Sequence, residues 1–330
     1  MPTAIGNNTV TSIVDRYLLP QVVDNVYNSN AFLHRLLKSN KKMVQGGTQI
    51  EVPVMLSDFT AGGFYQGLDL LSMVPQDTVR NAVFGWKQAY VPLVFAGIDL
   101  IKTDSPDAIV NLISMQTNQA GMKMAEILAT SLFATTASAT GLDSIPLAVD
   151  DGTNAGTYGG LSRTTYSNWK GVRDAANSSL SITGLNATYT SAQVGGRTPS
   201  IIVSGQDGYN AYYNLAYGSA GMTSYSVSAG TVDETLFAAG FHNVLFNGVP
   251  WVVDSHVQID PAEAASSETR KSIFMLNEDF WNIVVSPRAD LVMEPFQTPI
   301  QQDGTATKML WAGNVICSAP RANAVVARWN

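Results

Sequence analysis

The stretch SPDAIVNLISMQTNQAGMKMAEILATSLFAT, residues 105–135, predicts one long helix. Ser105 is a good N-cap, Pro106 suits the first helical position, and Asp107 complements the positive end of the helix dipole. About 30 residues at about 1.5 Å each give a rod of about 45 Å, so we expect this helix to carry separate parts of the chain. Apolar residues recur at steps of three and four and predict one buried stripe: Ile109, Leu112, Ile113, Met115, Ala120, Met124, Ile127, Leu128 and Leu132.

Composition limits the function classes that remain. Charged residues make up 14% of the 330 residues, below the usual quarter, which suits a surface covered by partners or simply a neutral exterior rich in Thr and Asn. The formal charge of −7 argues against a general nucleic-acid binder, because duplex affinity comes mostly from Lys and Arg. Cys317 is the only cysteine, which fits a reducing compartment. No secretion signal follows Met1 and no apolar run is long enough for a membrane span, so we expect synthesis in the cytosol.

The chain before the long helix predicts an arm and a hairpin. Residues 1–47 include an amphipathic segment, broken by Pro20, that either docks on its own core or lies on a neighbouring molecule. From Thr48 the apolar period becomes two, which predicts a strand to Leu56 and a return strand over Val79–Phe95. The tip between them is rich in glycine, with apolar residues that follow no period. Such a hairpin needs support beyond its own domain, unless it belongs to a larger internal sheet.

The chain after the long helix predicts loops, then a small α/β unit, then a closing sheet. Asn247-Gly248 is the strongest short hairpin signal and places a turn within Phe241–Val253. Gly121, inside the long helix, marks a point where the rod bends or packs closely. The other expected elements are loop over Ala137–Gly160, a helix over Trp169–Ser179, loop over Leu180–Arg197, a strand over Thr198–Ser204, a helix over Tyr209–Ala216, a strand pair over Ser272–Val285, a connector over Pro287–Thr307 and strands over Lys308–Trp329.

The sequence shows no pattern of residues that is typical of an active site. The three histidines are too scattered for a metal site, and phosphate-loop, dinucleotide-binding and nucleophile-elbow motifs are missing. Ser255 and His256 are adjacent, so on a strand their side chains would point to opposite faces and could not form a catalytic pair. A turn at the end of a strand is the favoured interpretation of Asp254, Ser255 and His256. Cys317 lies inside a strand pattern and is interpreted as a small core residue. We therefore expect no catalytic, cofactor-binding or metal-binding residues.

Acidic residues leave two alternatives. Asp143, Asp150 and Asp151 fall in a segment rich in Gly and Thr, but their spacing does not match a calcium loop, so a flexible loop is favoured. A hydrolase whose site is assembled from scattered carboxylates stays open, because single sequences hide such sites well. Its candidate residues are Asp254, Glu278 and Asp279.

Five stretches, taken together in this order, carry a family resemblance. They are AVFGWKQAYVPLVFAGIDLIKTDSPDAIVNLI (82–113), YGGLSRTTYSNWKG (158–171), GVPWVVDSHV (248–257), SIFMLNEDFWNIVVSP (272–287) and WAGNVICSAPRANAVVARW (311–329). In this order they resemble the major capsid proteins of tailed bacteriophages with the Hong Kong 97 fold. The resemblance spans most of the chain from about residue 45 onward, and the order of the stretches is more specific than any one of them.

The resemblance implies an α+β fold of the Hong Kong 97 type. Its parts would be an N-terminal arm (1–47), an extended β-hairpin loop (48–97), a peripheral domain (98–197) with a spine helix at about 105–135, an axial α/β domain (198–292) and a return to the peripheral domain (293–330). The side chains expected at contacts between subunits are Phe64, Tyr65, Trp86, Lys87 and Tyr90. Some members of the family form covalent Lys to Asn cross-links, but no partners for Lys87 can be identified, so no cross-link is expected.

The resemblance also implies a structural function and no enzymatic one. The protein would self-assemble into hexamers and pentamers of an icosahedral phage head that encloses double-stranded DNA without sequence specificity. It would be made in the host bacterial cytoplasm and end in the virion, with no membrane and no cofactor. Its further partners would be a portal and a decoration protein. A scaffolding protein would be a separate chain, because the capsid-like pattern begins soon after Met1. A tail or baseplate structural protein is the alternative, since it would share the low charge.

Overall fold

The computed structural model describes residues 30–57, 59, 62–71, 75, 77–98, 106–175, 179–217, 243–259, 271–298, 303–327 and 329. The predicted amphipathic segment before residue 30 and the predicted cap at Ser105 lie outside these residues. Within the described part of the chain, no helix has both the length and the apolar content that crossing a membrane requires.

Helices and strands alternate along the chain and form two main sheets. The helices are α1 (Ala31–Ser39), α2 (Pro106–Leu132), α3 (Ile145–Ala148), α4 (Ile182–Ser191) and α5 (Gln206–Tyr217). The strands are β1 (Lys41–Met43), β2 (Gln49–Met55), β3 (Val79–Gly85), β4 (Lys87–Ala96), β5 (Thr157–Tyr158), β6 (Leu161–Ser162), β7 (Val172–Asp174), β8 (Ile201–Ser204), β9 (Asn243–Phe246), β10 (Val249–Val253), β11 (Ile273–Leu276), β12 (Trp281–Met293), β13 (Gly304–Cys317) and β14 (Ala324–Val326).

Helix α2 confirms the long helix that the sequence predicts. It runs from Pro106 to Leu132 and continues through Gly121, which is buried. Its buried side carries Ile113, Ala120, Met124, Leu128 and Leu132, and it packs along β4. The assignment of Met115 to this stripe is wrong, because its side chain is 53% exposed. Met115 follows Ile113 by two residues, about 200° around the helix, and therefore points to the opposite side.

Strands β2 and β3 form a two-stranded sheet of their own, so the alternative of a larger internal sheet is wrong. The return strand ends at Gly85 and does not extend to Phe95 as predicted. Strand β4 instead pairs with β13, from Lys87 opposite Gly313 to Ala96 opposite Gly304. The buried positions explain the break, because they are even-numbered in β3 and odd-numbered in β4. One straight strand cannot change the face that it buries, so the chain turns at Trp86.

The four-stranded sheet has the order β1-β12-β13-β4, and only the β1 to β12 pairing is parallel. Helix α1 covers it through Phe32, whose ring meets Trp281 edge-on at 5.6 Å. The connector predicted over Pro287–Thr307 is wrong, because β12 continues to Met293 and β13 begins at Gly304. A bulge after Val285 interrupts the pairing register, which hides the strand alternation in the sequence.

The six-stranded sheet has the order β7-β14-β11-β8-β10-β9. Every residue of β8, β11 and β14 is buried, which explains their unbroken apolar sequences. The hairpin predicted at Asn247-Gly248 is confirmed, with φ of +50° and +80° at these two residues. The strand pair predicted over Ser272–Val285 is wrong, because β11 belongs to this sheet and β12 to the other.

Three predictions between residues 137 and 197 fail in whole or in part. The loop predicted over Ala137–Gly160 contains the short helix α3 and the strand β5. The helix predicted over Trp169–Ser179 is only a 3-10 turn at Ser167–Trp169, followed by β7. The loop predicted over Leu180–Arg197 contains α4, which Ser181 caps by accepting a hydrogen bond from the Gly184 N–H. Its Gly, Thr and Ser residues have low intrinsic helix propensity, so packing against β14 and β7 stabilises the helix.

Sheet membership crosses the domain boundaries that the sequence suggests. Strands β7 and β14 lie outside residues 198–292 but belong to the six-stranded sheet, whereas β12 lies almost wholly inside that range and belongs to the other sheet. One large core joins the inner face of the β2–β3 hairpin, α1, α2 and the four-stranded sheet, and it continues onto one face of the six-stranded sheet. A smaller core lies on the other face, with α4 and α5. The division into domains at the stated residues stays a prediction.

Candidate assembly surfaces

The root of the hairpin, defined as strands β2 and β3, rests on its own chain. Ala82 and Phe84 are buried on its inner face, and the Phe84 ring packs edge-on against Tyr158 at a centroid distance of 5.2 Å. The backbone N–H of Val83 donates to the carbonyl of Gly159 at 2.9 Å. The β5–β6 turn of the same chain therefore supports the root, and support from beyond the hairpin's own domain stays a prediction.

The tip of the hairpin, defined as residues 59 and 62–71, carries several exposed apolar side chains. Phe64, Leu68 and Leu70 are fully exposed, with relative exposures of 110%, 103% and 102%. Phe59, Tyr65 and Leu71 are exposed beside them in sequence. Soluble monomers rarely expose large apolar surfaces, so we propose that these side chains mark a surface for interaction. Phe64 and Tyr65 thus lie where a contact between subunits needs them, and the contact itself stays a prediction.

The other three residues predicted at subunit contacts lie at or next to the start of β4. Tyr90 is 66% exposed on the outer face of β4. The Trp86 side chain is half-buried, and its Nε1–H donates to the Gly47 carbonyl at 3.0 Å. The Lys87 ammonium donates to the carbonyls of Ser138 and Ala139 at 3.3 and 2.9 Å. Tyr90 is therefore displayed, whereas the polar atoms of Trp86 and Lys87 bind within their own chain.

An apolar groove, named here the β4 groove, runs beside Tyr90. Its apolar lining includes Tyr90, Pro92 and Val94 of β4 and Pro295, and its volume is about 390 Å³. Its polar lining residues are Glu294, Gln297, Thr298, Thr307 and Lys308. An ion pair between Lys308 and Glu294, 3.1 Å apart, lies at its rim. The groove is shallow and open, which suits a protruding chain segment better than an enclosed small ligand.

A buried ion pair, Asp150 with Arg163, organises the loop beneath the hairpin root. The carboxylate of Asp150 accepts backbone N–H groups from Gly152, Asn154 and Ala155 at 2.9 to 3.0 Å. The segment around Asp150 and Asp151 is a loop as predicted, and the fully buried pair ties it to the body of the chain. The signal for Asp150 is its position directly before a turn, where an Asp side chain caps backbone amides.

Arg163 has no comparable signal in the sequence. Its guanidinium lies 3.7 Å from the Asp150 carboxylate. It also donates, at 2.7 to 3.3 Å, to the backbone carbonyls of four residues: Leu147, Ala148, Ala155 and Trp169. Burial lowers the pKa of Arg163, and the nearby Asp150 carboxylate opposes this effect. The carbonyls replace the lost water, so a buried charge is tolerated at this position.

The carboxylates proposed for a hydrolase do not converge. Strand β10 pairs in parallel with β8, and Val253 lies opposite Ser204. Asp254 therefore lies at the edge of the sheet where β8 ends. Strand β11 is antiparallel to β8 and ends opposite Ile201, so Glu278 and Asp279 lie at the opposite end. The three-carboxylate site is therefore wrong. Among the described residues, no group of three or more His, Cys, Asp or Glu side chains could hold a metal ion.

His256 does meet an acid, which the sequence analysis missed. Its Nδ1 lies 2.9 Å from Oδ1 of Asp254, and Asp254 also binds the Asn30 side chain, the N-cap of α1. The two residues lie at the turn after β10, which confirms the strand-end turn that the sequence favours. Cys317 is a buried core residue as predicted, and burial raises the pKa of its thiol to about 12.

Comparison with known proteins places the fold. No protein-family model matches the chain, and no curated protein matches its sequence. Its structure matches the cyanophage A-1(L) capsid asymmetric unit with a TM-score of 0.61 and 15% sequence identity, over 90% of this chain and 92% of that chain. The chain has the Hong Kong 97-like capsid fold.

Two further structures share the Hong Kong 97-like fold with this chain. The capsid of a native GTA particle matches with a TM-score of 0.57 and 11% identity, over 91% of this chain and 90% of that one. The structure from Mycobacterium phage Bobi matches with a TM-score of 0.55 and 10% identity, over 99% of this chain and 100% of that chain. That α2 is the spine helix of this fold and the β2–β3 hairpin its extended loop stays a prediction. At these identities the likeness shows the fold alone.

Proposed function

We propose that this protein is a structural capsid protein whose copies self-assemble into the hexamers and pentamers of an icosahedral phage head. One observation carries the proposal: the hairpin holds an exposed apolar tip away from a root that is firmly buried on its own chain. Exposing Phe64, Leu68 and Leu70 to water is unfavourable by about 1.5 to 3 kcal/mol for each side chain that could be buried. Contact with another copy removes that cost, and a closed shell repeats the contact many times.

The β4 groove is the surface that we assign to the neighbouring tip. Its apolar lining at Tyr90, Pro92 and Val94 complements the apolar tip, and it is open enough to admit a loop. Phe64 and Tyr65 then contribute from one copy and Tyr90 from the next. Trp86 and Lys87 flank this surface and hold the start of β4 against residues 47 and 138–139.

The further partners follow from the same proposal. The shell encloses double-stranded DNA without sequence specificity, in keeping with a formal charge of −7 and the few cations available to bind phosphates. A separate scaffolding protein, a portal and a decoration protein would complete the head. The protein would be made in the host bacterial cytoplasm and end in the virion. A tail or baseplate protein is the second candidate, because an exposed apolar tip also suits a ring or a tube.

Electron microscopy of the full-length chain, expressed with and without its genomic neighbours, tests the proposal. Closed shells support it, tubes or rings favour the second candidate, and a monomer that persists at high concentration contradicts both. A variant with Phe64, Leu68 and Leu70 all changed to Ser is expected to lose closed shells while keeping its unfolding midpoint. Ile182→Ser is the control, because this exposed side chain lies on α4, away from the hairpin in sequence, and shells should persist.

A further inference from the structure

The contact between the hairpin root and the β5–β6 turn is unusually close. Gly159 has a φ of +56°, a conformation that favours glycine. A Cβ atom added to Gly159 would lie 2.8 Å from Cζ of Phe84 and 3.2 Å from Cβ of Ala82. Because Phe84 is only 2% exposed and is enclosed by the main core, its ring has no free space into which to move. Gly159 is therefore required by space as well as by backbone conformation.

The neighbouring Gly160 shares only one of these two constraints. Its φ is +73°, so an Ala there would carry similar backbone strain. An added Cβ would meet nothing within 4 Å, because the residue faces open space. The pair separates backbone strain from crowding against the hairpin.

The turn that carries Gly159 is fixed to the body on both sides. On one side, the hydroxyl oxygen of Tyr158 accepts the backbone N–H of Cys317 at 3.0 Å, and the Tyr158 carbonyl accepts the Trp169 indole N–H at 2.9 Å. On the other side, Arg163 follows β6 and is tied by the bonds to buried carbonyls described above. The guanidinium also lies over the Tyr158 ring, 5.5 Å from its centroid. The turn is thus a rigid support and not a mobile loop.

We propose that Gly159 is the positioning residue of the hairpin, because its close packing against Ala82 and Phe84 sets the direction in which the hairpin leaves the body. Each hairpin strand has seven residues, about 23 Å at about 3.3 Å per residue. A rotation of about 10° at the root therefore moves the far end of the strands by about 4 Å. The last step, from hairpin direction to shell curvature, rests on the proposed function.

Hydrogen exchange in the unassembled full-length protein tests the positioning step without any shell. The Val83 N–H donates to Gly159 and not across the hairpin, so its exchange reports root docking. By strand alternation, the Ala82 and Phe84 N–H groups point towards β2 and report the hairpin itself. We expect Gly159→Ala to speed exchange at Val83 by about tenfold or more while Ala82 and Phe84 keep their protection. Gly160→Ala should leave all three unchanged.

Shortening the opposing side chain completes the test. Phe84→Leu removes the ring atoms that an added Cβ would meet. The double variant Gly159→Ala with Phe84→Leu should therefore regain most of the protection of the Val83 N–H. If Gly159→Ala alone does not fold, the double variant should fold. Equal effects of Gly159→Ala and Gly160→Ala, or no rescue by Phe84→Leu, would overturn the proposal. In assembled particles, Gly159→Ala should shift the distribution of shell diameters; an unchanged distribution with faster Val83 exchange would reject the curvature step alone.

Discussion

Phe84 at the hairpin root is 2% exposed and packs against Tyr158, whereas Phe64 at the tip of the same hairpin is fully exposed. The root alternates between more and less buried positions along β2 and from Asn81 onward in β3, and one of its faces is part of the main core. The tip has the same kinds of side chain in no periodic order, and the described part of the chain leaves them uncovered. The difference teaches that apolar residues with a period build a core, whereas apolar residues without one can mark a contact with another molecule.

The largest expected effect lies in the support beneath the root. Arg163→Met keeps much of the apolar stem but removes the charge and all the donors, which leaves Asp150 buried without its cation. We expect the free energy of unfolding to fall by about 3 to 5 kcal/mol, as measured by urea denaturation. Arg197→Met is the control, because the Arg197 and Asp279 side chains are 3.5 Å apart and more than half exposed. Its cost should be about 0.5 kcal/mol or less, and equal costs would refute a special role for the buried pair.

The long helix, the alternating strands of the hairpin and the Asn247-Gly248 turn could be predicted because each has a local cause. Pro106 starts a helix, a period of two builds a strand with one buried face, and Asn-Gly accepts positive φ. The partner of β4 could not be predicted in this way. Its apolar period continues from β3, and only the change of parity across Trp86 separates the two strands.

The candidate surfaces were predictable only in part. The family resemblance implies subunit contacts at Phe64, Tyr65 and Tyr90, and the structure exposes all three side chains. Trp86 and Lys87 looked equivalent in sequence, but their partners at residues 47 and 138–139 are set by tertiary packing. The network around Arg163 depends on backbone carbonyls, which every residue possesses, so no residue pattern announces it. The same holds for α4, where packing overrides a composition that disfavours a helix.

The second prediction compares the two ends of the hairpin directly. Phe84→Ala removes a ring from the core and leaves a cavity between β3 and Tyr158, so the free energy of unfolding should fall by about 3 to 4 kcal/mol. Phe64→Ala removes the same atoms from an exposed site and should change it by about 0.5 kcal/mol or less. Thermal or urea unfolding of the unassembled protein measures both. A large cost for Phe64→Ala would mean that the tip folds back on its own chain, and the contrast between root and tip would be lost.

The smallest effect concerns the dry core behind Tyr158, which distinguishes the root from the solvated tip. Burial raises the pKa of the Cys317 thiol from 9.0 to about 12, so between these values the unfolded chain releases a proton that the folded chain retains. The stabilisation is therefore complete below pH 9 and is lost as pH rises towards 12. From pH 8 to pH 10 the free energy of unfolding should fall by about 1.4 kcal/mol more in the wild type than in Cys317→Ala, measured by urea denaturation. The variant keeps the backbone N–H that binds Tyr158, and burial, the largest cause of the raised pKa of Tyr158, acts in both proteins. Equal pH dependence in the two proteins would show that water reaches the core at Cys317, and the support beneath the root would then be no drier than the tip.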